Sequence, residues 1–273
     1  MTENNSISVI CPTYNSDSYV EQTLSSLLNQ SVSPDEIIFS DDGSTDNTVK
    51  ILEDWKCRFE ELGINTLILL NSHKGPGATR NIAIEHSTNE WISFLDADDI
   101  WKKDKISRIK EMIKKFPNNN VFLHGEEYVR LDGKKTIMMH GENYKVDKPL
   151  SRQLYRRCFF STSAITLNKN ALINGIFDSS LPNGQDYELW LRSSPYMKLC
   201  VVPEILGEYV EQSSSITARP YYQRYFSQVR ILARHFEKGG VLLACYMILR
   251  VTLSKQWFSM MQQWISGTQK HSG

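Results

Sequence analysis

Residues 91–101 read Trp-Ile-Ser-Phe-Leu-Asp-Ala-Asp-Asp-Ile-Trp, and they set a mostly apolar run, Ile92 to Leu95, directly against three carboxylates, Asp96, Asp98 and Asp99. A run of that length and composition reads as a buried strand, and the charge at its end asks for a reason. Working outward, the same texture recurs. "ISVIC" (7–11) precedes a helical pattern from Tyr19 to Gln30, "EIIFS" (36–40) one from Thr45 to Leu62, and "NTLILL" (65–70) one from Ala78 to His86. The run at 91–95 itself precedes a pattern from Lys103 to Phe116. Strand alternating with helix implies a parallel α/β sheet whose strands are covered on both faces. Ser44 in "GSTDNTVKIL" offers a helix cap, and "FPNNN" (116–120) stops the fourth helix.

The 273 residues are 41% hydrophobic and 23% charged, ordinary for a soluble globular chain. Formal net charge is zero, which excludes a whole-chain argument for nucleic acid as a partner. Five scattered cysteines, Cys11, Cys57, Cys158, Cys200 and Cys245, form no CxxC pair and fit a reducing cytoplasm, with Cys11 and Cys200 as small core residues. "MTENNSIS" lacks the basic and apolar regions of a signal peptide, and no run approaches the ~20 apolar residues of a membrane span. The chain is therefore expected in the cytoplasm, either free or peripheral at the inner face of the cell membrane.

From Val121 the pattern shifts. "VFLHGEEYVRLDGKKTIMMHG" reads as a hairpin around Asp132-Gly133, "STSAITL" and "MKLCVV" as strands, and Gln185 to Ser194 as a helix with Tyr187, Leu189, Trp190 and Leu191 on its apolar face. Beyond Arg219 the pattern is wholly helical, so the expected division is an α/β domain over 1–218 and a tail over 219–273. The change of pattern divides the domain into halves of about 1–120 and about 121–218.

In an open α/β sheet the ligand crevice lies beyond the carboxyl ends of the strands. "CPTYN" (11–15), "SDDGSTD" (40–46), "NSHKGPGATRN" (71–81) and "DADD" (96–99) all fall at such ends. Each alone has a plainer reading: Asp-Asp-Gly-Ser is a common turn into a helix, and Asp98 or Asp99 can simply cap the helix near Lys103. Carboxylates gathered at a crevice repel unless a cation joins them, and Asp96 and Asp98 offer the hard oxygen donors that suit Mg2+ or Mn2+ better than zinc. "GPGATR" has two glycines of a dinucleotide fingerprint, Gly75 and Gly77, but Arg80 takes the place of the third, which argues against a nicotinamide and for an anionic diphosphate.

"ISVICPTYN", "IIFSDDGSTDNT", "GPGATRNIAIEHSTNEWISFLDADD" and "NGQDYELWLR", in this order over about the first 210 residues, resemble the nucleotide-sugar glycosyltransferases of family 2, whose fold is called GT-A. The resemblance implies an inverting enzyme of bacterial glycan assembly. It implies Pro12, Thr13 and Tyr14 at the nucleoside, Asp41 at the base edge and Arg80 near the nucleotide. Asp96, Ala97 and Asp98 would be the DxD motif, with Asp96 toward ribose or sugar and Asp98 on the metal. Asp186 in "GQDYELW" matches the catalytic base; Glu188, two residues on, points elsewhere on a regular helix and is its structural rival. Relatives write Tyr-Arg-x-His-x-x-Ser where this chain reads "YVEQSSSIT" (209–217). Either Gln212 stands in for the histidine, or the diphosphate passes to Ser214, Ser215 or a basic tail residue.

These residues together imply single displacement of a UDP-sugar by an acceptor hydroxyl, with dTDP sharing the same base edge. The resemblance also implies a donor half over about 1–120, an acceptor half over about 121–218 and a lipid-linked glycan as the acceptor class. A pyrophosphorylase would carry Gly-x-Gly-Thr-Arg after its first strand, and a processive synthase would carry membrane spans and Gln-x-x-Arg-Trp; a binding or scaffolding protein on a decayed transferase is the non-enzymatic alternative. The tail holds Arg219, Arg224, Arg230, Arg234, Lys238, Arg250, Lys255 and Lys270 against Glu237 alone. Leu242, Tyr246, Leu249, Leu253, Trp257, Met260 and Trp264 recur there at spacings of three and four. That stripe is read either as packing on the core or a homodimer partner, or as an interfacial helix on an anionic membrane.

Overall fold

The computed structural model describes residues 5–172, 175–212 and 221–252. Its first half runs β1 (Ile7–Thr13), α1 (Val20–Leu28), β2 (Glu36–Asp41), α2 (Thr48–Glu61), β3 (Asn65–Leu70), α3 (Pro76–His86), β4 (Trp91–Phe94), β5 (Ile100–Trp101) and α4 (Lys105–Lys115). β1 pairs in parallel with both β2 and β4, and β2 pairs in parallel with β3. Alternation along β1 splits its side chains between two cores. Ile7, Val9 and Cys11 join Leu24 of α1 and Phe59 of α2 on one face, while Ile10 joins Ala83 of α3 and Phe94 on the other.

Two local expectations fail. The helix expected from Thr45 begins at Thr48, and Ser44 does not cap it: its hydroxyl donates to Asp41 Oδ1 at 2.6 Å, while Asp46 Oδ1 accepts the Thr48 amide at 3.0 Å. Nor do Asp98 or Asp99 cap α4, which opens after Asp104.

The second half adds β6 (Val121–Val129), β7 (Lys135–Met138), α5 (Leu150–Arg156), β8 (Ile165–Asn168), α6 (Gln185–Ser193) and β9 (Leu199–Val210). The sheet order is β3-β2-β1-β4-β8-β6-β9-β5, with β7 on β6. β8 is antiparallel to β4 and β6, and β6 is parallel to β9. The β6–β7 hairpin turns at Asp132-Gly133 as its sequence demands, with Gly133 at φ 78°. The strand expected from Ser161 starts only at Ile165, because Ser161 to Ala164 form a turn closed by the Ala164 amide on the Ser161 carbonyl at 3.3 Å. On α6, Trp190 is fully buried among Phe94, Phe160 and Phe177.

Three helices follow, α7 (Tyr221–Arg234), α8 (Phe236–Gly239) and α9 (Val241–Thr252). Ile231, Leu232, Ala244 and Met247 enter the same core as α5 and α6, so these helices lean on the second half of the domain. The stripe proposed on α9 is not the face that packs. Ala244 and Met247 face the core with Ile248 and Val251 beside them, whereas Leu242, Tyr246 and Leu249 are exposed. Leu253, Trp257, Met260 and Trp264 lie outside the described residues, as do Ser214 and Ser215. Among the described residues no helix is long and apolar enough to cross a membrane. Cys11 is buried as expected, and Cys200 is half-buried at the core edge.

Candidate active site

Parallel register brings the strand ends to one rim, placing Thr13 opposite Asp41 and Asp41 opposite Leu70. Asp41 is buried, and its carboxylate accepts four donors: the Thr13 and Ser44 hydroxyls at Oδ1 (2.9 and 2.6 Å) and the Gly43 and Ser44 amides at Oδ2 (3.1 and 2.8 Å). Four donors fill a carboxylate's lone-pair sites, so in this arrangement Asp41 organises the loop, and Ser44 is the donor a ligand would displace. Gly43 is required there. Its φ is +79°, and a Cβ would lie 3.2 Å from the Asn71 carbonyl and the His73 amide.

The neighbouring Asp42, which sequence reasoning did not single out, accepts the amides of Lys74 (2.8 Å) and Gly75 (2.9 Å) and meets His73 Nδ1 at 2.9 Å. It thereby shapes the turn into α3. His73 in turn stacks on Tyr14 with ring centroids 4.4 Å apart, and Tyr14 is 45% exposed at the rim. Pro12 is half-buried beside it. The one legible signal for Asp42 was the doubling of aspartate before glycine.

Arg80 on α3 is buried and pairs through Nη2 with Asp96 Oδ1, while its Nε has no partner. No lysine or arginine adjoins the acidic cluster in sequence, and the packing of α3 supplies this cation. Burial opposes the Arg80 charge, and Asp96 more than restores it, leaving the guanidinium above its usual range. Beyond β4, burial and the Asp96 charge push the half-buried Asp98 carboxyl up to about 6. Ala97 is buried, and its carbonyl accepts the Thr23 hydroxyl at 2.7 Å, which pins the turn between the two aspartates.

Asp99 is the fully internal member. Its Oδ2 accepts Ser163 Oγ at 2.5 Å and its Oδ1 the Val210 amide at 3.1 Å, and Ser163 Oγ also accepts the Asp96 amide at 3.1 Å. One carboxylate therefore ties the acidic loop to the turn before β8 and to the end of β9. Burial, then Asp98 and Asp96, hold it well above the carboxylate range.

Asp186 stands in the first turn of α6 and is half-buried. Burial raises its carboxyl, the Tyr187 amide and the charge of Arg80 pull it down, and Asp96 pushes it up again, so Asp186, Arg80 and Asp96 share one electrostatic neighbourhood. The α6 start is held against α3 by an intimate contact. Gly77 has no side chain where Gln185 lies, and a Cβ there would sit 2.7 Å from Gln185 Cδ. Glu188 faces elsewhere, with Arg192 Nη2 at 3.1 Å and His235 Nε2 at 3.1 Å, and these hydrogen bonds outweigh burial to hold its carboxyl below the ordinary range. Gln212 follows β9 and is half-buried. Asp96 and Asp98 are two hard oxygen donors side by side; among the described residues no group of three His, Cys, Asp or Glu side chains could hold a metal.

With this geometry in place, comparison with known proteins is informative. Residues 8–176 match the model of Glycosyl transferase family 2. The chain is 30% identical over 188 residues to UDP-Glc:alpha-D-GlcNAc-diphosphoundecaprenol beta-1,3-glucosyltransferase WfgD of Escherichia coli, covering 68% of each chain. It is 38% identical over 107 residues to TuaG of Bacillus subtilis (strain 168), a match that covers 39% of this chain and spans less than half of that relative, 41% of its length. Its fold superposes on S. aureus TarS 1–349 in complex with UDP-GlcNAc with a TM-score of 0.70 at 19% identity, covering 92% of this chain and 73% of that one. The sheet with its flanking helices is thus the GT-A fold, and the chain belongs to glycosyl transferase family 2.

Proposed function

We propose that this chain transfers a sugar from a UDP-sugar to a hydroxyl of a glycan acceptor, with inversion at the anomeric carbon. The observation that carries the reading is the meeting of Asp186 with Arg80 and Asp96, on elements far apart in sequence, at the carboxyl rim of the sheet. Asp186 accepts the acceptor's hydroxyl proton while that oxygen attacks the anomeric carbon and the bond to the diphosphate breaks. No covalent intermediate forms. Pro12, Thr13 and Tyr14 hold the nucleoside, Asp41 meets the base edge once one of its loop donors yields, and the Arg80 guanidinium lends its positive charge toward the departing diphosphate.

Asp98, with Asp96 beside it, would hold Mg2+ or Mn2+. The fit rests on the raised Asp98 carboxyl, which a cation relieves, and on the habit of such ions to take one or two carboxylates plus substrate phosphates rather than a full protein cage. When bound, the ion supplies charge neutralisation at the diphosphate. The acceptor class is a lipid-linked glycan in bacterial polysaccharide assembly, supported by the diphosphoundecaprenol acceptor in the name of the Escherichia coli relative. The enzyme then works at the inner face of the cell membrane.

Incubating the protein with Mn2+ and a panel of UDP- and dTDP-sugars tests this by thermal shift and by slow hydrolysis to the free nucleotide. A donor at a hundred times its Kd adds about 2.7 kcal/mol, or about 5–10 °C for a domain of this size. No shift and no hydrolysis with any donor would sink the reading. Full activity in excess EDTA would remove the metal from it.

A further inference from the structure

The α9 stripe is apolar, regular and turned outward. Leu242, Tyr246 and Leu249 lie at i, i+4 and i+7 on one helix face and are 89%, 56% and 55% exposed, although the opposite face of the same helix is in the core. Phe236 (51% exposed) and Val241 (65%) are exposed on the chain just before it. Isolated exposed apolar residues need no explanation, but three on one helix face do.

Exposed basic side chains lie on α9 itself and on the element packed against α8. Arg250 follows Tyr246 by four residues on α9. α5 lies against α8 through a close approach of Gly239 to the Tyr155 ring, where a Cβ would sit 2.7 Å from Tyr155 Cδ1. On the outer side of α5, Arg152 and Arg156 are exposed, with Arg157 following the helix, and none of these four arginines makes an ion pair with a described residue. The acidic residue of α8, Glu237, is already engaged by Lys238 at 3.8 Å and His235 at 3.9 Å.

We propose that the outward face of α9, together with Arg250 and the exposed arginines of α5 on the neighbouring side of α8, docks on an anionic lipid bilayer. Apolar side chains with basic side chains on adjoining elements match the boundary between acyl chains and anionic headgroups. A second copy of the chain is the rival occupant. In a twofold dimer the α9 face would meet itself, bringing one set of basic side chains toward another, whereas anionic lipid answers both the apolar face and the charge. The proposal stands apart from the transfer chemistry, since it requires no donor, metal or acceptor.

Vesicle flotation of the full chain tests it, comparing pure phosphatidylcholine vesicles with vesicles enriched in phosphatidylglycerol, whose negative surface attracts basic side chains. Wild-type protein is expected to float with the anionic vesicles at low salt and to be released as salt rises. The variant Leu242→Ser/Tyr246→Ser/Leu249→Ser should lose roughly tenfold or more in partitioning. Arg152→Ala/Arg156→Ala/Arg157→Ala, which touches only exposed side chains, should lose roughly fivefold per arginine near the surface. Thermal melts and UDP titration of each variant separate lost docking from lost folding, and failure of UDP binding in wild type would count against the donor reading alone. Wild-type protein that ignores anionic vesicles, or arginine and stripe variants that float as wild type does, overturns the proposal. So does a wild-type dimer that the stripe variant dissociates in the absence of vesicle binding, because the occupant is then a second copy.

Discussion

Replacing Asp186 by Asn separates chemistry from everything else this residue does. The two side chains have the same shape, but the amide cannot take the acceptor's proton, and a positioned general base contributes typically about 10²–10⁴-fold, or about 3–5 kcal/mol of barrier. The competing structural cost is smaller. Asp186 lies in the first turn of α6, where loss of a negative charge against the helix dipole costs about 0.3–1 kcal/mol, worth about 1–4 °C in melting temperature for a domain of this size. Donor binding should survive, because Arg80 keeps its pairing with Asp96. The assays are calorimetric titration with UDP and initial-rate release of UDP in the presence of acceptor. The expected outcome is unchanged UDP affinity with kcat/KM down by roughly a hundredfold or more. Wild-type activity should also fall as pH drops through the Asp186 pKa, which burial sets above the ordinary 3.8, and the Asn variant should lose that acid limb. A variant that turns over within roughly tenfold of wild type, with its acid limb intact, would refute the assignment of the base.

Three further outcomes follow from the packing. Glu188→Ala removes the buried carboxylate that His235 and Arg192 share, Arg192 keeping the Ile176 carbonyl, so a loss of about 3–5 kcal/mol is expected, visible as a melting temperature about 6–20 °C lower; an unshifted melt would mean the cluster contributes nothing. Gly77→Ala collides with Gln185 and should cost about 1–3 kcal/mol together with activity, and adding Gln185→Ala should recover much of both, a rescue whose absence would show that the contact does not seat α6. Lys105 is fully buried, with Nζ on Ser93 Oγ at 2.8 Å and Thr166 Oγ1 at 3.1 Å, and burial holds its pKa well below 10.5. The unfolded chain therefore binds the extra proton between the depressed and the ordinary pKa, and stability rises with pH across that window. Lys105→Met leaves Ser93 and Thr166 hydrogen-bonded to each other at 2.6 Å and should flatten the rise in stability to urea as pH climbs toward the ordinary lysine range; equal slopes in both proteins would show Lys105 to be charged in the fold.

Much of this molecule was readable without a structure because the relevant information is local. Runs such as Ile7 to Cys11 and Glu36 to Ser40, each followed by a helical period, dictate parallel strands, and parallel strands dictate that their carboxyl ends share one rim. That local logic singles out Arg80, Asp96 and Asp98 at the strand ends, whereas Pro12, Thr13, Tyr14, Asp41, Ala97 and Asp186 are implied by the resemblance to family 2 and not by spacing. Asp132-Gly133 announced its hairpin by the positive φ that glycine alone adopts cheaply. Which partner each side chain meets was a different matter. Arg80 finds Asp96, Asp99 finds Ser163 and Val210, and Glu188 finds His235 only when separate elements close on one another, and no periodicity encodes those distances. Ser44 shows the limit at short range: a residue suited to capping a helix was drawn instead to Asp41, whose buried carboxylate needed donors more than the helix needed a cap. The tail shows it most clearly. From Val241 to Val251 the helix is apolar nearly all round, so the sequence determined that it would be a helix with apolar faces to bury. Only packing against α7 and the core of the domain's second half decided that Ala244 and Met247 would turn inward and leave Leu242, Tyr246 and Leu249 to face outward.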